Sequence, residues 1–383
     1  MLFNKLLLCC CVILLSYSAN LMANFNSSYS FPPLPSSVQK DTTKNPLIQK
    51  SSFVALPLAF YTPETRLGGG AALLYVFRFR GQDPESRPSQ VQLGFAYTQE
   101  KQSLNYLPFQ LFLKEGKYNV YGELGYYRYF FYFYGIGNDL PDEREIYSVT
   151  FPRVRLNVLQ QVYPNLYAGF RYYFDNYNIT ERTAGGLLEQ DNILGSNGGR
   201  ISSLGLVATY DSRNHLFFPT EGWLVEFSAL RNGEFLGSDF NFSRLSLDAA
   251  TYRTNKWDHV IALNAWFNFN FGDVPFNEMA VIGGTKKMRG YFEGRYRDKK
   301  VWMLQGEYRW PELIGKRFGI VGFAGLGSVA TDFKDFSKNK IHYSYGAGMR
   351  FMLSKKEKVN VRIDVGVDEV GDILPYVTVT EAF

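Results

Sequence analysis

Apolar and polar residues alternate with a period of two along most of the chain after residue 52. In one such segment Leu263, Ala265, Phe267, Phe269 and Phe271 alternate with Asn264, Trp266, Asn268 and Asn270. Because successive side chains of a β-strand point to opposite faces of its sheet, each segment has one apolar and one polar face. The pattern predicts an all-β fold built from amphipathic strands.

Segments with this alternation recur about sixteen times, and bacterial transmembrane β-barrels have an even number of strands. The predicted strand cores are 53–61, 69–79, 90–98, 103–113, 119–134, 148–160, 166–179, 202–211, 223–229, 242–253, 260–271, 301–310, 319–330, 343–353, 359–367 and 375–383. The longest connection spans residues 272–300. We expect short turns such as Thr62–Arg66 to face the periplasm and the long connections to face the outside.

A soluble β-sandwich would show the same alternation, with its apolar faces packed inward. Three observations favour a transmembrane antiparallel β-barrel instead. Tyr, Phe or Trp residues repeatedly lie at the ends of the apolar faces, as in the aromatic girdles of such barrels, and the chain has 27 Tyr and 33 Phe. The polar faces carry many Arg, Glu and Asn residues, as expected of a wet lumen. The N-terminus is typical of an exported protein.

That N-terminus has a short basic start, Met1–Lys5, followed by the apolar run Leu6–Leu15 and then by small residues. This layout is typical of a cleaved signal peptide, and the apolar run is too short to cross a bilayer as an anchor helix, which is the alternative. We expect residues 1–23 to be the signal peptide, 24–50 to be a flexible periplasmic linker rich in Ser, Pro, Asn and Thr, and 51–383 to be the barrel.

Composition excludes several other classes of protein. The three cysteines, Cys9, Cys10 and Cys11, all lie in the predicted signal peptide, so disulfides, thiolate catalysis and cysteine-based zinc sites are not expected. The formal charge of +5 is not gathered into runs, and nucleic-acid binding therefore has no support. After the signal peptide no apolar run is long enough for a transmembrane helix.

Catalytic chemistry also has no support. The three histidines, His215, His259 and His342, lie on separate segments, and no metal-binding, nucleophile or phosphate-binding motif is present. We therefore expect no catalytic residues, no cofactor and no metal. An outer-membrane enzyme such as a lipase is the least favoured function.

Several short motifs occur in order along about 330 residues. They are Tyr61-Thr62-Pro63-Glu64-Thr65 with Gly68-Gly69-Gly70; Tyr210-Asp211-Ser212-Arg213-Asn214 with Phe218-Pro219-Thr220-Glu221-Gly222; Gly283-Gly284 with Met288-Arg289-Gly290-Tyr291; Gly306-Glu307-Tyr308-Arg309 with Pro311; Gly346-Ala347-Gly348-Met349-Arg350 with Arg362-Ile363-Asp364; and Phe383 at the end. Together they resemble the BamA/TamA superfamily of outer-membrane assembly and translocation barrels, also called the bacterial surface antigen family. In such proteins a final Phe commonly serves as the C-terminal barrel signal.

The resemblance implies a sixteen-stranded barrel whose sixth extracellular loop, between strands 11 and 12, folds back into the lumen. In the family, inward-facing acidic residues hold the arginine of that loop, which is Arg289 here. Alternation places Glu307 and Asp364 on the polar faces of their strands, and a guanidinium seeks planar carboxylates. Glu307 and Asp364 are therefore the candidate partners of Arg289; a solvated loop arginine is the alternative.

Two features depart from the family pattern. The family usually carries an aspartate in a Phe-x-Asp-x-Gly motif on strand 13, but Phe323-Ala324-Gly325-Leu326-Gly327 has Gly325 at that place. Standard members also carry POTRA domains, which capture unfolded clients, where this chain has the predicted linker. A client-receiving role is then expected to need a separate periplasmic or lipoprotein partner.

The resemblance implies a role in the assembly, insertion or translocation of outer-membrane proteins, with outer-membrane lipid and unfolded outer-membrane proteins as partners. Pro57 lies in the first predicted strand and lacks a backbone donor, which favours a weak seam between the first and last strands. An ordinary strand bulge at Pro57 is an equal alternative. A passive pore or a structural barrel without insertase activity is the alternative function.

Overall fold

The computed structural model describes residues 51–83, 86–140, 142–190, 193–314, 317–354 and 358–383. The predicted signal peptide and linker, residues 1–50, lie outside the described residues.

The described residues form eighteen strands and a few short helices. The strands are β1 Ser52–Thr62, β2 Arg66–Phe77, β3 Ser89–Thr98, β4 Ser103–Leu113, β5 Tyr118–Phe133, β6 Glu145–Tyr163, β7 Leu166–Arg182, β8 Gly199–Asp211, β9 Gly222–Asn232, β10 Phe242–Thr254, β11 Val260–Gly272, β12 Ala280–Ile282, β13 Tyr296–Asp298, β14 Lys300–Ile314, β15 Phe318–Ala330, β16 His342–Ser354, β17 Val359–Val367 and β18 Ile373–Val379. The helices are α1 Leu187–Gln190 and the 3-10 helices Glu234–Leu236, Phe276–Glu278 and Phe333–Ser337.

Sixteen of these strands close into one antiparallel barrel, and β12 pairs with β13 inside the connection between β11 and β14. The predicted fold class is therefore confirmed. The barrel follows chain order throughout, so each strand pairs with its sequence neighbours in the wall. The β12–β13 pair was not predicted.

The barrel wall has its apolar side chains outside and its polar side chains inside. On β11, Leu263 is 52% exposed on the outer face whereas its neighbour Asn264 is 3% exposed in the lumen. A soluble protein of this size would bury such leucines and expose the charged groups. The inverted distribution is the one that a bilayer outside and a polar lumen inside impose.

The turn between β1 and β2 lies on the same rim as the long β11–β14 connection. Consecutive antiparallel strands run in opposite directions, so connections alternate between rims, and both of these follow an odd-numbered strand of the barrel. Glu293 in the long connection donates its backbone N–H to Glu64 Oε1 in the β1–β2 turn at 3.0 Å. The prediction that Thr62–Arg66 faces the opposite compartment from the long loops is wrong, because strand parity and not turn length decides the rim.

The seam between β1 and β18 is weakly paired. β1 pairs with β2 along its whole length, but within the described residues it pairs with β18 at the single position Tyr61↔Val377. Pro57 lies in β1 and Pro375 lies in β18, so each seam strand lacks one backbone donor. The barrel is closed, but in the described residues its closing pair has far fewer register positions than any other strand pair of the wall.

The last strand ends earlier than its sequence suggests. β18 stops at Val379, and Thr380 adopts a left-handed conformation with φ of 64°. Phe383 lies inside the barrel, with its ring 6.5 Å from the Tyr252 ring and its backbone oxygen accepting from Arg309 Nη2 at 3.2 Å. The prediction that residues 375–383 form a single strand is wrong from position 380 onward, because the tail turns into the lumen.

Candidate functional site

The connection between β11 and β14, residues 273–299, is the sixth on its rim, and we call it the inner loop. Its base is the 3-10 helix Phe276–Glu278, where the Phe276 ring packs 5.4 Å from the Phe133 ring and 5.1 Å from the Tyr147 ring. Glu278 Oε2 accepts from Arg244 Nη2 at 2.8 Å, and Glu278 Oε1 accepts from the Tyr177 hydroxyl at 3.0 Å. The base is thus fixed to the lumen wall by aromatic packing and by a buried ion pair.

Glycines give the tip of the inner loop its shape. Gly283 and Gly284 have φ of 116° and 90°, and a β-carbon on Gly283 would lie 1.9 Å from the Phe292 oxygen. The Gly283 N–H donates to the Lys287 oxygen at 2.8 Å, and the Gly284 N–H donates to the Tyr291 oxygen at 2.9 Å. These bonds close a compact turn that only glycine can make at position 283.

Arg289 extends from this turn into the polar wall of the lumen and is 2% exposed. Its Nη2 donates to Glu307 Oε1 on β14, and its Nη1 donates to Asp364 Oδ2 on β17. The guanidinium carbon also lies 3.7 Å from the centroid of the Phe323 ring. The structure therefore brings Arg289 together with both of its candidate partners, and one planar cation joins two strands of the wall to the loop.

Three more arginines share these carboxylates. Arg309 Nε donates to Glu307 Oε2 at 2.7 Å, Arg350 Nη1 donates to Asp364 Oδ1 at 2.6 Å, and Arg362 Nε lies 3.3 Å from Asp364 Oδ2. Sequence reasoning did not assign these arginines a role. Strand alternation gave a usable signal, since Arg309 and Arg362 each lie two residues from a candidate carboxylate and so face the same side.

The C-terminal tail joins the same network. Glu381 Oε2 accepts from Arg350 Nε at 2.7 Å, and Glu381 Oε1 accepts from Asn360 Nδ2 at 3.0 Å. These inward contacts explain why the chain leaves β18 after Val379, because the Glu381 carboxylate finds its partners in the lumen and not in the lipid.

The two residues after Arg289 bind the last strand. The Gly290 N–H donates to the Tyr376 hydroxyl oxygen at 3.0 Å, and the Tyr376 hydroxyl donates to the Tyr291 oxygen at 3.2 Å. The Tyr291 hydroxyl in turn donates to the Tyr343 oxygen at 2.8 Å. A β-carbon on Gly366 would lie 2.5 Å from the Gly290 nitrogen, so glycine at both positions lets the two backbones touch.

Two glutamates meet at the rim, where the half-buried Glu293 of the inner loop donates its N–H to the buried Glu64. Burial raises the pKa of the Glu293 carboxyl to about 8; the charge of Glu64 acts in the same direction and Arg297 opposes it. Burial likewise raises the pKa of the Glu64 carboxyl, although its hydrogen bond from Glu293 opposes this. A proton is therefore held more tightly at this contact than on an exposed glutamate.

Comparison with protein families identifies the barrel. Residues 77–355 match the Omp85 superfamily domain, which is well over half of the chain. The chain belongs to the Omp85 superfamily. Omp85 barrels lie in the bacterial outer membrane, where they act on client proteins within outer-membrane lipid as insertases or translocators and not as enzymes. In these general terms the predicted location and the predicted link to outer-membrane assembly or translocation are supported.

Solved Omp85 structures share this fold at low sequence identity. BamA from Haemophilus ducreyi lacking POTRA domains 1-3 is 14% identical, with a TM-score of 0.58 over 86% of this chain and 70% of that chain. CdiB from Escherichia coli is 13% identical, with a TM-score of 0.59 over 88% of this chain and 63% of that chain. CdiB from Acinetobacter baumannii is 11% identical, with a TM-score of 0.54 over 86% and 59%. This chain thus spans less than two thirds of either CdiB, and no curated protein matches it.

This Omp85 barrel departs from the expected motif at Gly325, and the structure gives a steric reason. A β-carbon at position 325 would lie 3.1 Å from Met288 Cγ and 3.3 Å from Gln305 Cβ. Met288 is itself 1% exposed, and its N–H donates to Gln305 Oε1 at 3.3 Å. The space that an aspartate side chain would need is occupied by Met288, and the carboxylates that meet Arg289 come from β14 and β17 instead.

Other chemistry is not assembled in the part of the chain that the structure describes. No group of three or more His, Cys, Asp or Glu side chains is arranged to bind a metal there. Across the same residues no helix is both long and apolar enough to cross a membrane. His342 stacks on Tyr296 with ring centroids 3.6 Å apart and contacts Glu369, which gives this histidine a packing role between loops of the rim.

Proposed function

We propose that this Omp85 barrel takes part in the insertion or translocation of outer-membrane proteins, with client strands adding at the seam between β1 and β18. The observation that carries the proposal is that the described residues of the seam pair in register at one position, Tyr61↔Val377. Unpaired backbone groups are costly in lipid, since no water is present to bond them. An incoming strand that pairs with the free edge of β1 or β18 removes that cost by β-augmentation.

The short last strand supports the same proposal. β18 has seven residues, whereas a transmembrane strand needs about 9–11 to cross the hydrocarbon core. A bilayer that meets a short wall becomes thinner beside it. Thinning at the seam would lower the barrier for client hairpins to cross, and the polar tail after Val379 keeps the region from extending into lipid.

Unfolded outer-membrane proteins are the proposed clients, and a separate periplasmic or lipoprotein partner is proposed to deliver them. Signal-peptide export through residues 1–23, the linker 24–50 and the use of Phe383 as a barrel signal are part of the same proposal. Affinity purification of the barrel from membranes, followed by identification of the bound proteins, tests the partner.

A reversible disulfide bond across the seam tests the proposed function. Residues 51–383 contain no cysteine, so Tyr61→Cys with Val377→Cys introduces a single pair across the seam. We expect the oxidised barrel to lose its acceleration of client-barrel folding into liposomes and to regain it on reduction. The control pair Leu206→Cys with Ala229→Cys lies in register between β8 and β9 and should have no effect when oxidised. Equal activity of the locked and reduced seam pair would contradict the proposal.

A passive pore or structural barrel is the second candidate, and the buried polar wall of the lumen favours it. Such a protein would show a steady conductance in planar bilayers and no effect on client folding. Depletion of the protein from cells should lower the levels of other outer-membrane barrels if the first proposal holds, and should leave them unchanged if the second does.

A further inference from the structure

We infer that the inner loop acts as a clasp across the seam, and that Glu64 is the positioning residue that holds the β1 side. This inference rests on the proposed function, because it concerns how the proposed seam is kept closed. It is carried by contacts that four residues of the loop tip, Gly290–Glu293, make to β18 and to the turn that follows β1.

The β18 side of the clasp is Tyr376. Its hydroxyl accepts from the Gly290 N–H at 3.0 Å and donates to the Tyr291 oxygen at 3.2 Å. Tyr376 is fully buried and directly precedes Val377, the residue of β18 that pairs with β1. The loop therefore binds β18 beside the one position at which the described residues of the two seam strands pair in register.

The β1 side of the clasp is Glu64. Its Oε1 accepts from the Glu293 N–H at 3.0 Å, and the side chain is 8% exposed. The turn that carries Glu64 is itself braced, since the Thr65 N–H donates to Thr62 Oγ1 at 3.2 Å and the two threonine hydroxyls lie 2.8 Å apart. A movement of Glu64 is thus a movement of the whole end of the β1–β2 hairpin.

The two sides are unequal, which fixes the direction of opening. On the side of β18 the loop is also held by Arg289, whose buried ion pairs reach β14 and β17. On the β1 side, within the described residues, the loop is joined to Glu64 by the one hydrogen bond from the Glu293 N–H. Opening would therefore leave the loop attached to β14–β18 and release the β1–β2 hairpin.

Distances across the seam test the clasp without any client. Spin labels on Leu67→Cys and Ile373→Cys lie on exposed positions of β2 and β18. We expect Glu64→Ala to shift the label distances in nanodiscs to longer values with loss of the short-distance population. Glu64→Gln keeps an oxygen acceptor and should retain the native distances. Glu100→Ala is the matched control, since Glu100 lies in the next turn of that rim and pairs with Arg66 on the surface.

A second variant covers the case in which Glu64→Ala does not fold. Glu64→Asp keeps the charge but shortens the side chain by one methylene, so it should weaken the hydrogen bond from the Glu293 N–H and lengthen the same distances. Native distances in folded Glu64→Ala or folded Glu64→Asp, or equal lengthening in Glu64→Gln and Glu64→Ala, would overturn the clasp.

Client folding measured on the same variants separates the two proposals. A faster client reaction in Glu64→Ala together with longer distances supports both. Longer label distances in a barrel that never accelerates client folding would support the clasp and contradict the proposed function. Unchanged label distances in a Glu64→Ala barrel that is active on clients would contradict the clasp and leave the proposed function supported.

Discussion

Gly325 of β15 lies directly against Met288 of the inner loop, where a β-carbon at position 325 would stand 3.1 Å from Met288 Cγ. The contact lies one residue from Arg289, so any side chain at position 325 acts on the loop that carries the arginine. The glycine is therefore part of how this barrel seats its loop, although it replaces the acidic residue of the family motif.

We predict that Gly325→Ala destabilises the barrel by about 1–3 kcal/mol, because overpacking a filled site forces its neighbours to shift. The measurement is urea unfolding in detergent, followed by tryptophan fluorescence. Gly322→Ala is the matched control on the same strand, since a β-carbon there meets nothing within 4 Å. Adding Met288→Ala to Gly325→Ala should give less than the sum of the two single effects. Strict additivity would show that the contact is not the cause.

Arg289→Ala should destabilise the barrel by about 3–5 kcal/mol, because it leaves two buried carboxylates short of a partner. Arg289→Lys should not restore stability, since an ammonium lacks the planar fork that meets Glu307 and Asp364 together. The control is Arg200→Ala, which breaks an exposed pair with Asp239 that contributes little to stability. Equal unfolding midpoints for the Arg289 and Arg200 variants would mean that the loop lock contributes no stability.

The rim glutamates predict a dependence of stability on pH. Burial raises the pKa of Glu293 to about 8 from its ordinary 4.5, so the folded barrel keeps a proton that the unfolded chain has lost. Stability should therefore be fully present below about pH 4.5 and should fall as the pH rises toward about 8. Glu64, whose pKa burial also raises, acts in the same direction.

The check is the urea midpoint of the native barrel and of Glu293→Gln across this pH range. The urea midpoint of Glu293→Gln should fall less with rising pH than that of the native barrel. The midpoint of Glu100→Gln should fall as much as that of the native barrel. Parallel curves for the native barrel and Glu293→Gln would refute the assignment.

Backbone amides should exchange hydrogen faster at the seam than elsewhere in the barrel wall. Amides of β1 and β18 that lack a partner across the seam are expected to exchange more than about tenfold faster than those of the long β6–β7 ladder. Mass spectrometry of the folded barrel in nanodiscs gives the rates by segment. Uniform protection around the barrel would contradict the weak seam.

The strands were predictable because a bilayer outside and a polar lumen inside impose a period of two on every one of them. The predicted segment 148–160 lies within β6 Glu145–Tyr163, and for the sixteen strands of the wall the errors in position are confined to strand ends. Parity along the strands named Glu307 and Asp364 as carboxylates on the polar faces, and the family resemblance, which implies an inward-folding loop, made them candidate partners of Arg289.

The remaining features depend on contacts between residues far apart in the chain. Glu64 and Glu293 are separated by 229 positions, and no local pattern links them. The three-residue strands β12 and β13 are too short for alternation to be recognised. The inward turn after Val379 follows from the partners of Glu381 on β16 and β17, which a strand pattern does not reveal.

The inner loop is anchored at both ends by the barrel wall, and its tip is therefore a tethered ligand of its own lumen. Tethering of this kind supplies an effective concentration in about the millimolar range, so individually weak contacts suffice to keep the tip in place. A free peptide with the sequence of residues 283–293 would have to exceed that concentration before it displaced the loop. Compounds that bridge the tip and the wall are for this reason better prospects for blocking the barrel than soluble competitors of the tip.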